Sequence, residues 1–478
     1  MLVRANRTLL AAVVLGIPTI LGLKPGAAIA AVCDVSAFNC PSSGTCTITG
    51  TWNIDSDCTL DFGARSVELK GTFQASALGG SFVVRATSVT LNAGKLKSIG
   101  DLSHGGGDIS VLVTNSFTMQ GAAPRIDTSG NGGGGTIRVR AVGITLTTGT
   151  ITADGGSGTT CGPGGGIDLD ALTGPLTAAA TIRSISSGSD CEGGSILLEG
   201  ASVYVSGDLD ARGGAAASED AITIMATAGD IVVSGSASLK ADGTGQPEGS
   251  GADAGAIALS AASGGISLGG ALLSLTGNAP DGIGGVLILD ATGNIQVTAH
   301  VLAYGSSAGS GGALFASTNG NVTLLGDITA TGGQTYPDAE GGLVEVSAGG
   351  TTTVSSIVDV SAAFGGGVII ENGGDVTVGG KILARGSHGD GGRVAVLGCH
   401  VNLNGTLDAG ASNGGAGGIV ESFGEAITAS STARILATPC VAGLCTSFTT
   451  RTGNVVIDPH ALISPSPIVT IDPDLPPC

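Results

Sequence analysis

Aromatic residues are scarce: one Trp, three Tyr and nine Phe, 3% of the 478-residue chain. Glycan-binding surfaces usually rest on aromatic platforms, and few are available here. Tyr204, Tyr304 and Tyr336 are expected on the surface, whereas Trp52 and Phe73 fall at inward positions. Charge is scarce as well, at 12% against 42% hydrophobic. Intrinsic disorder needs the opposite balance. Basic residues are fewer still, with 19 Lys and Arg against 38 Asp and Glu and a formal net charge of −19. A phosphate-binding surface wants the other sign, so no nucleic-acid partner is expected. There are 16 Pro and no Gly-X-Y period, which excludes collagen. The Cys show no C-x-x-C spacing and the five His are scattered, so zinc is not expected.

Gly is what the chain has in excess, 86 residues. Each Gly inside a helix costs up to ~1 kcal/mol, so a helical protein is improbable. A long, acidic, Gly-punctuated β architecture remains. Residues 1–30 read as a signal peptide: Arg4 and Arg7 precede the apolar stretch Leu9–Leu23, and Ala28-Ile29-Ala30 is an A-x-A cleavage signal. No second hydrophobic span follows, so no membrane span is expected in the mature chain. All ten Cys lie beyond the cleavage site, which fits an oxidising compartment. The expected location is extracellular or on the cell surface, with the periplasm as the alternative.

Internal repeats decide the fold. An apolar residue, any residue, a small residue, any residue and Gly recur, as in Ile151-Thr-Ala153-Asp-Gly155, Leu239-Lys-Ala241-Asp-Gly243 and Ile382-Leu-Ala384-Arg-Gly386. Weaker copies begin at Phe73, Leu96, Ile126, Leu273, Val358, Leu407 and Ile435, with one more near Ile182. Each repeat holds three short alternating runs; residues 391–410 show Val394-Ala-Val396, Val401-Asn-Leu403 and Thr406-Leu407-Asp-Ala409. Period-two alternation sends one set of side chains inward. The pattern predicts an all-β fold, a single-stranded right-handed parallel β-helix of about 14 coils, each of three short strands and about 28 residues. At ~4.8 Å per coil the rod would be roughly 65–70 Å long. The Gly pairs between repeats are expected to supply the positive φ of tight corners. Residues 31–59 and 438–478, rich in Cys, flank the repeats of 60–437 as expected caps. Pro in the last segment should stop strand pairing.

The Gly-Gly pairs, apolar alternation and Φ-x-Ala-x-Gly signature resemble bacterial right-handed parallel β-helix proteins. They are most similar to the Gly-rich repeats of filamentous haemagglutinin-like surface proteins, with a broad likeness to pectin-lyase-like architecture. The resemblance spans about residues 60–437 and implies a secreted, adhesin-like rod. The Asn-Pro-Asn motif of two-partner secretion domains does not occur, and too few residues follow Ile435 for an autotransporter barrel.

Chemistry motifs are few. The Asp-Asp, Gly-His-Gly and Arg-x-Lys elements of polygalacturonase-like enzymes are missing. Gly305-Ser-Ser307-Ala-Gly309 matches a nucleophile elbow in letters only, without the strand–turn–helix context. The favoured function is a structural or adhesive rod without catalysis; the alternative is a polysaccharide-active lyase or hydrolase with a groove along the β-helix. Expected partners are polysaccharide, a cell surface or another copy of the chain.

Three sets of residues carry specific expectations. Cys161 and Cys191 precede equivalent first strands, and stacked positions about 4.8 Å apart suit a disulfide. Thr90, Thr118, Thr145, Thr323, Thr353, Thr377 and Thr428 take outward positions on middle strands and would form a flat association face. Arg138 and Arg140 should lie over Asp168 and Asp170, with Glu199 in the following coil. This ladder is expected to be a surface ion-pair array; as a site, its Arg would grip a substrate carboxylate or act in lyase chemistry. No cofactor is required, and a calcium ion would find its ligands in Asp168, Asp170 and Glu199. Asp127, Asp154, Asp210, Asp242 and Asp408 lie in or just after third strands and are expected to keep edges and corners wet.

Overall fold

The computed structural model describes residues 31–156, 162–188, 191–214, 216–218, 220–245, 251–334, 336–440, 445–475 and 478. The signal-peptide residues lie outside this set. Among the described residues there is no α-helix, only a 3-10 turn at Val35–Phe38. The rest is a parallel β-solenoid with a repeat of about 27 residues. Each coil supplies a strand to a first, a middle and a third ladder, and successive coils pair in parallel.

The third ladder is a sheet of 16 strands, from Thr51–Ile54 to Leu462–Ser464. It holds every repeat copy expected from Phe73 to Ile435, including Thr181–Arg183 at Ile182, plus one more at each end. The first and middle ladders merge into a 30-stranded sheet. They merge because two long strands, Ile419–Ala429 and Thr446–Ile457, run through both.

Period-two alternation produces the core directly. Ile126, Ile151, Ile182, Leu209 and Leu239 follow one another up the third ladder, each 0% exposed. Burying each such side chain stabilises the coil by roughly 1.5–3 kcal/mol. The small residue of the signature also points inward: Ala153, Ala211 and Ala241 are fully buried. Where a hydroxyl replaces it, the hydroxyl bonds back to the corner. Ser184 Oγ donates to Ala153 O at 3.2 Å, and Thr128 Oγ1 to Gly135 O at 3.2 Å.

The corner glycines serve a different purpose from the expected one. Gly341, Gly342, Gly391 and Gly392 do not take a left-handed φ. They are there because stacked backbones touch. A Cβ on Gly312 would run into Gly285 O, one on Gly342 into Gly312 O, one on Gly366 into Gly342 O, and one on Gly392 into Gly366 O. Only a residue without a side chain allows this approach, coil after coil.

The two ends differ. At the first coil, Val32 bridges Ile54, and disulfides join Cys33 to Cys58 and Cys40 to Cys46. Phe38 covers the core there, with its ring 4.9 Å from Trp52, 5.7 Å from Phe62 and 5.3 Å from Phe73. At the other end strand pairing runs beyond 437, contrary to expectation. Thr446–Ile457, Leu462–Ser464 and Ile468–Ile471 all join the ladders. Pro459, Pro465 and Pro467 fall between these strands, where a missing N–H costs no ladder bond. Cys399 is joined to Cys478 and Cys440 to Cys445. Cys191 is disulfide-bonded; Cys161, its expected partner, lies outside the described residues.

Replacing Gly366 by Ala should therefore destabilise the protein by about 1–3 kcal/mol through overpacking. Gly379→Ala is the control, because its Cβ would meet only Val354 O at 3.9 Å. Denaturant unfolding of both variants checks this; equal midpoints would refute the contact explanation.

Candidate functional faces

Because the register never slips in the first thirteen or so coils' middle strands, outward residues form columns. On the middle face one column runs Thr90, Thr118, Thr145 and Thr177. It continues through Tyr204, Val232, Ser267 and Gln296. It then returns to Thr323, Thr353, Thr377, Asn402 and Thr428. The seven Thr singled out in the sequence thus share one line: Thr177 extends the first block, Tyr204, Val232, Ser267 and Gln296 separate it from the second, and Asn402 interrupts the second. Glu68 precedes Thr90 in the same column. Asn92 Nδ2 donates to Glu68 Oε1 at 2.8 Å and holds that carboxyl below its ordinary range. Asn321, just before the strand of Thr323, spans two coils, its Oδ1 accepting from Thr351 N at 2.7 Å and Thr351 Oγ1 at 3.1 Å.

On the first face the pairing brings Arg138 beside Asp168 and Arg140 beside Asp170, with Glu199 one rung beyond Asp170. Arg138 Nε lies 2.9 Å from Asp168 Oδ2, and Arg140 Nε 3.2 Å from Asp170 Oδ2. The Arg side chains are 59% and 57% exposed, and such pairs are worth about 0–1 kcal/mol. A shallow cleft of about 330 Å³ adjoins Arg140, lined also by Asp61, Arg85 and Leu112. Arg85 belongs to it by register, because Arg85 pairs with Leu112 and Leu112 with Arg140. That alignment follows from the spacing of the repeat. Among the described residues no three His, Cys, Asp or Glu converge as a metal site requires, Asp168, Asp170 and Glu199 included.

The third face departs most from expectation. Asp127, Asp210 and Asp408 are not wet corner residues; they are 3%, 9% and 5% exposed. Each takes the outward position between two inward residues, Ile126 and Thr128, Leu209 and Ala211, or Leu407 and Ala409, and is covered there by the corner backbone and an Arg side chain. Two oxygens serve two purposes. One accepts a backbone N–H of the corner, as Asp408 Oδ1 does from Gly410 N at 3.0 Å and Asp127 Oδ1 from Ser129 N at 3.2 Å. The other meets an Arg: Arg125 at 2.7 Å from Asp127, Arg212 at 2.7 Å from Asp210, and Arg385 at 2.6 Å from Asp408. Asp242 meets hydroxyls instead of an Arg, accepting from Ser274 Oγ at 2.7 Å and Thr276 Oγ1 at 3.0 Å, and from the corner at Thr276 N at 2.8 Å. A cleft of about 430 Å³ on this face is lined by Asp359, Ser361, Arg385, Ser387 and Asp408. The signal for this capping was an Asp in or just after a third strand; its cover by the corner and an Arg depends on what the neighbouring coil supplies.

Tyr204, Tyr304 and Tyr336 are exposed at 43%, 39% and 55%. Ser307, in the elbow-like letters, lies at a corner and donates to Pro280 O at 3.1 Å.

The chain matches no protein-family model and no curated protein. Among solved structures it is similar to the HMW1 secretion domain from Haemophilus influenzae, at 14% identity, over 85% of this chain and 94% of that one, with a TM-score of 0.31. At that score the likeness supports no functional inference. Among the described residues no helix is long and apolar enough to cross a membrane.

Asp154, half-buried on the third face, offers a test of its own. Burial raises its pKa above the ordinary carboxylate value, outweighing the Arg183 guanidinium and the Ile185 N–H that favour the anion. Its folded state therefore holds a proton more tightly than its unfolded state. The resulting stabilisation is complete below the unfolded pKa and is lost as pH rises through the folded one. Asp154→Asn fixes the neutral form, so its stability relative to wild type should be greatest at pH 7 and shrink toward pH 4. Unfolding midpoints measured across that range check this; a difference that grows on acidification would refute it.

Proposed function

We propose that the protein is an adhesive or structural rod of the cell exterior, and that the middle face is the surface it presents. The observation that carries this reading is the straight column of Thr hydroxyls, held in register from coil to coil. A row of short polar groups at about 4.8 Å intervals suits an extended polymer, which needs a repeating flat surface and no pocket. Both Thr blocks are free of charged residues along the column itself, so a neutral or an acidic polysaccharide can approach without facing a carboxylate there. The disulfides at both ends are compatible with an oxidising exterior.

The test is a binding screen of the exported protein against neutral and acidic polysaccharides and against whole cells. Thr323→Glu, Thr353→Glu and Thr377→Glu together should weaken association with a neutral or an acidic polysaccharide by about tenfold or more, with circular dichroism unchanged. Undiminished binding by this variant would remove the middle face from consideration. Cleavage of a polysaccharide that Asp168→Asn with Asp170→Asn abolishes would favour the enzymatic alternative instead.

A further inference from the structure

The solenoid is closed at one end and open at the other. At the open end Asn454–Ile457 of the middle ladder, Leu462–Ser464 of the third and Ile468–Ile471 of the first have no further strand on their outer side among the described residues. Their backbone donors and acceptors point along the axis, as in every coil below. The core is open there too. Phe448 is 0% exposed, whereas Val469, stacked on it as the next inward residue, is 48% exposed. Val455 and Ile463, the last inward residues of the other two ladders, are only partly buried.

Nothing described on this chain covers that edge. Asp472 N still bonds Thr450 O, but Cys478 is disulfide-bonded to Cys399 and its N donates to Glu425 Oε1 at 3.4 Å. The segment therefore leaves along the flank of earlier coils. Unpaired edges are commonly blunted by Pro or charge within the strand. Here Pro459, Pro465 and Pro467 lie between strands, and the three edge strands contain no Asp, Glu, Lys or Arg.

We infer that this edge is an interface for the same edge of a second copy of the chain, giving a tail-to-tail dimer. Three features fix the occupant. The partner must match a triangular arrangement of three short edges, and the solenoid's own end has that shape. It cannot be the other end, because the lid built by Val32, Phe38 and two disulfides closes that end. The contact must also tolerate an acidic chain: the three edge strands carry no charged side chain, so pairing edge to edge brings no like charges into the paired strands, while Asp458, Asp472 and Asp474 lie in the turns beside them. A two-fold axis normal to the solenoid axis sets Ile468–Ile471 antiparallel to its mate, an isologous contact. It buries Val469, Val455 and Ile463 against their counterparts and continues the core across the junction. This interface is independent of the Thr column and leaves that face free.

Light scattering coupled to size exclusion tests this on the exported, disulfide-intact protein. A dimer is expected at micromolar concentration, and Val469→Lys with Ile471→Lys should convert it to monomer, weakening association at least about tenfold. Thr45→Lys at the closed end should leave the dimer intact. Amide exchange of the wild-type protein supplies a readout that needs no variant: exchange in 454–457 and 468–471 should slow as concentration rises. A wild-type protein that stays monomeric, or a dimer that survives Val469→Lys with Ile471→Lys, would overturn the proposal.

Discussion

Backbone pairing between successive coils is the interaction on which everything else in this molecule rests. It is a single parallel contact repeated at about 4.8 Å, and it imposes a severe steric condition. Where the chain turns from the third strand into the first, one peptide plane lies directly on the next. Gly285, Gly312, Gly342, Gly366 and Gly392 form that stack, and a Cβ on any of the last four would strike the carbonyl of the one before. Once the glycines are in place the register cannot slip, because one residue of slippage would put a side chain into the stack and turn each inward side chain outward. Core and faces are both consequences of that fixed register.

The same constraint explains what was legible in the residues. Repetition made the third strands visible one by one, even the weak copy at Ile182, and stacking Ile137 on Ile167 was enough to place Arg138 beside Asp168. What escaped were features that depend on geometry at the corners. Alternation rightly places Asp127, Asp210 and Asp408 outward, but it does not show that the corner backbone and a neighbouring Arg then cover them. Gly was read as a source of positive φ because that is its commonest use in turns. Its role as a spacer between stacked backbones requires knowing what lies in the next coil. The Pro of the last segment were read by composition, when their position between strands was what mattered.

Charge is distributed in accordance with this architecture. Arg side chains meet carboxylates across neighbouring rungs on the first face and around buried corners on the third. The exposed pairs add little stability. The corner pairs neutralise carboxylates that the backbone needs as acceptors, and so allow an acidic chain to bury Asp at all. Beyond Glu68, the outward column of the middle face carries no charge and is mostly Thr, with Tyr204, Val232, Ser267, Gln296 and Asn402 among them.

The bond between Cys399 and Cys478 closes a loop with a sequence separation of 79. In a solenoid the terminal coils are held by a neighbour on one side only, so they are the first to peel. Tension applied at Cys478 would not reach those coils in sequence. It passes through sulfur to Cys399 and enters the stack there, where coils are paired above and below. The last turns are thus mechanically bypassed, and a pull on that residue is borne by the interior of the rod.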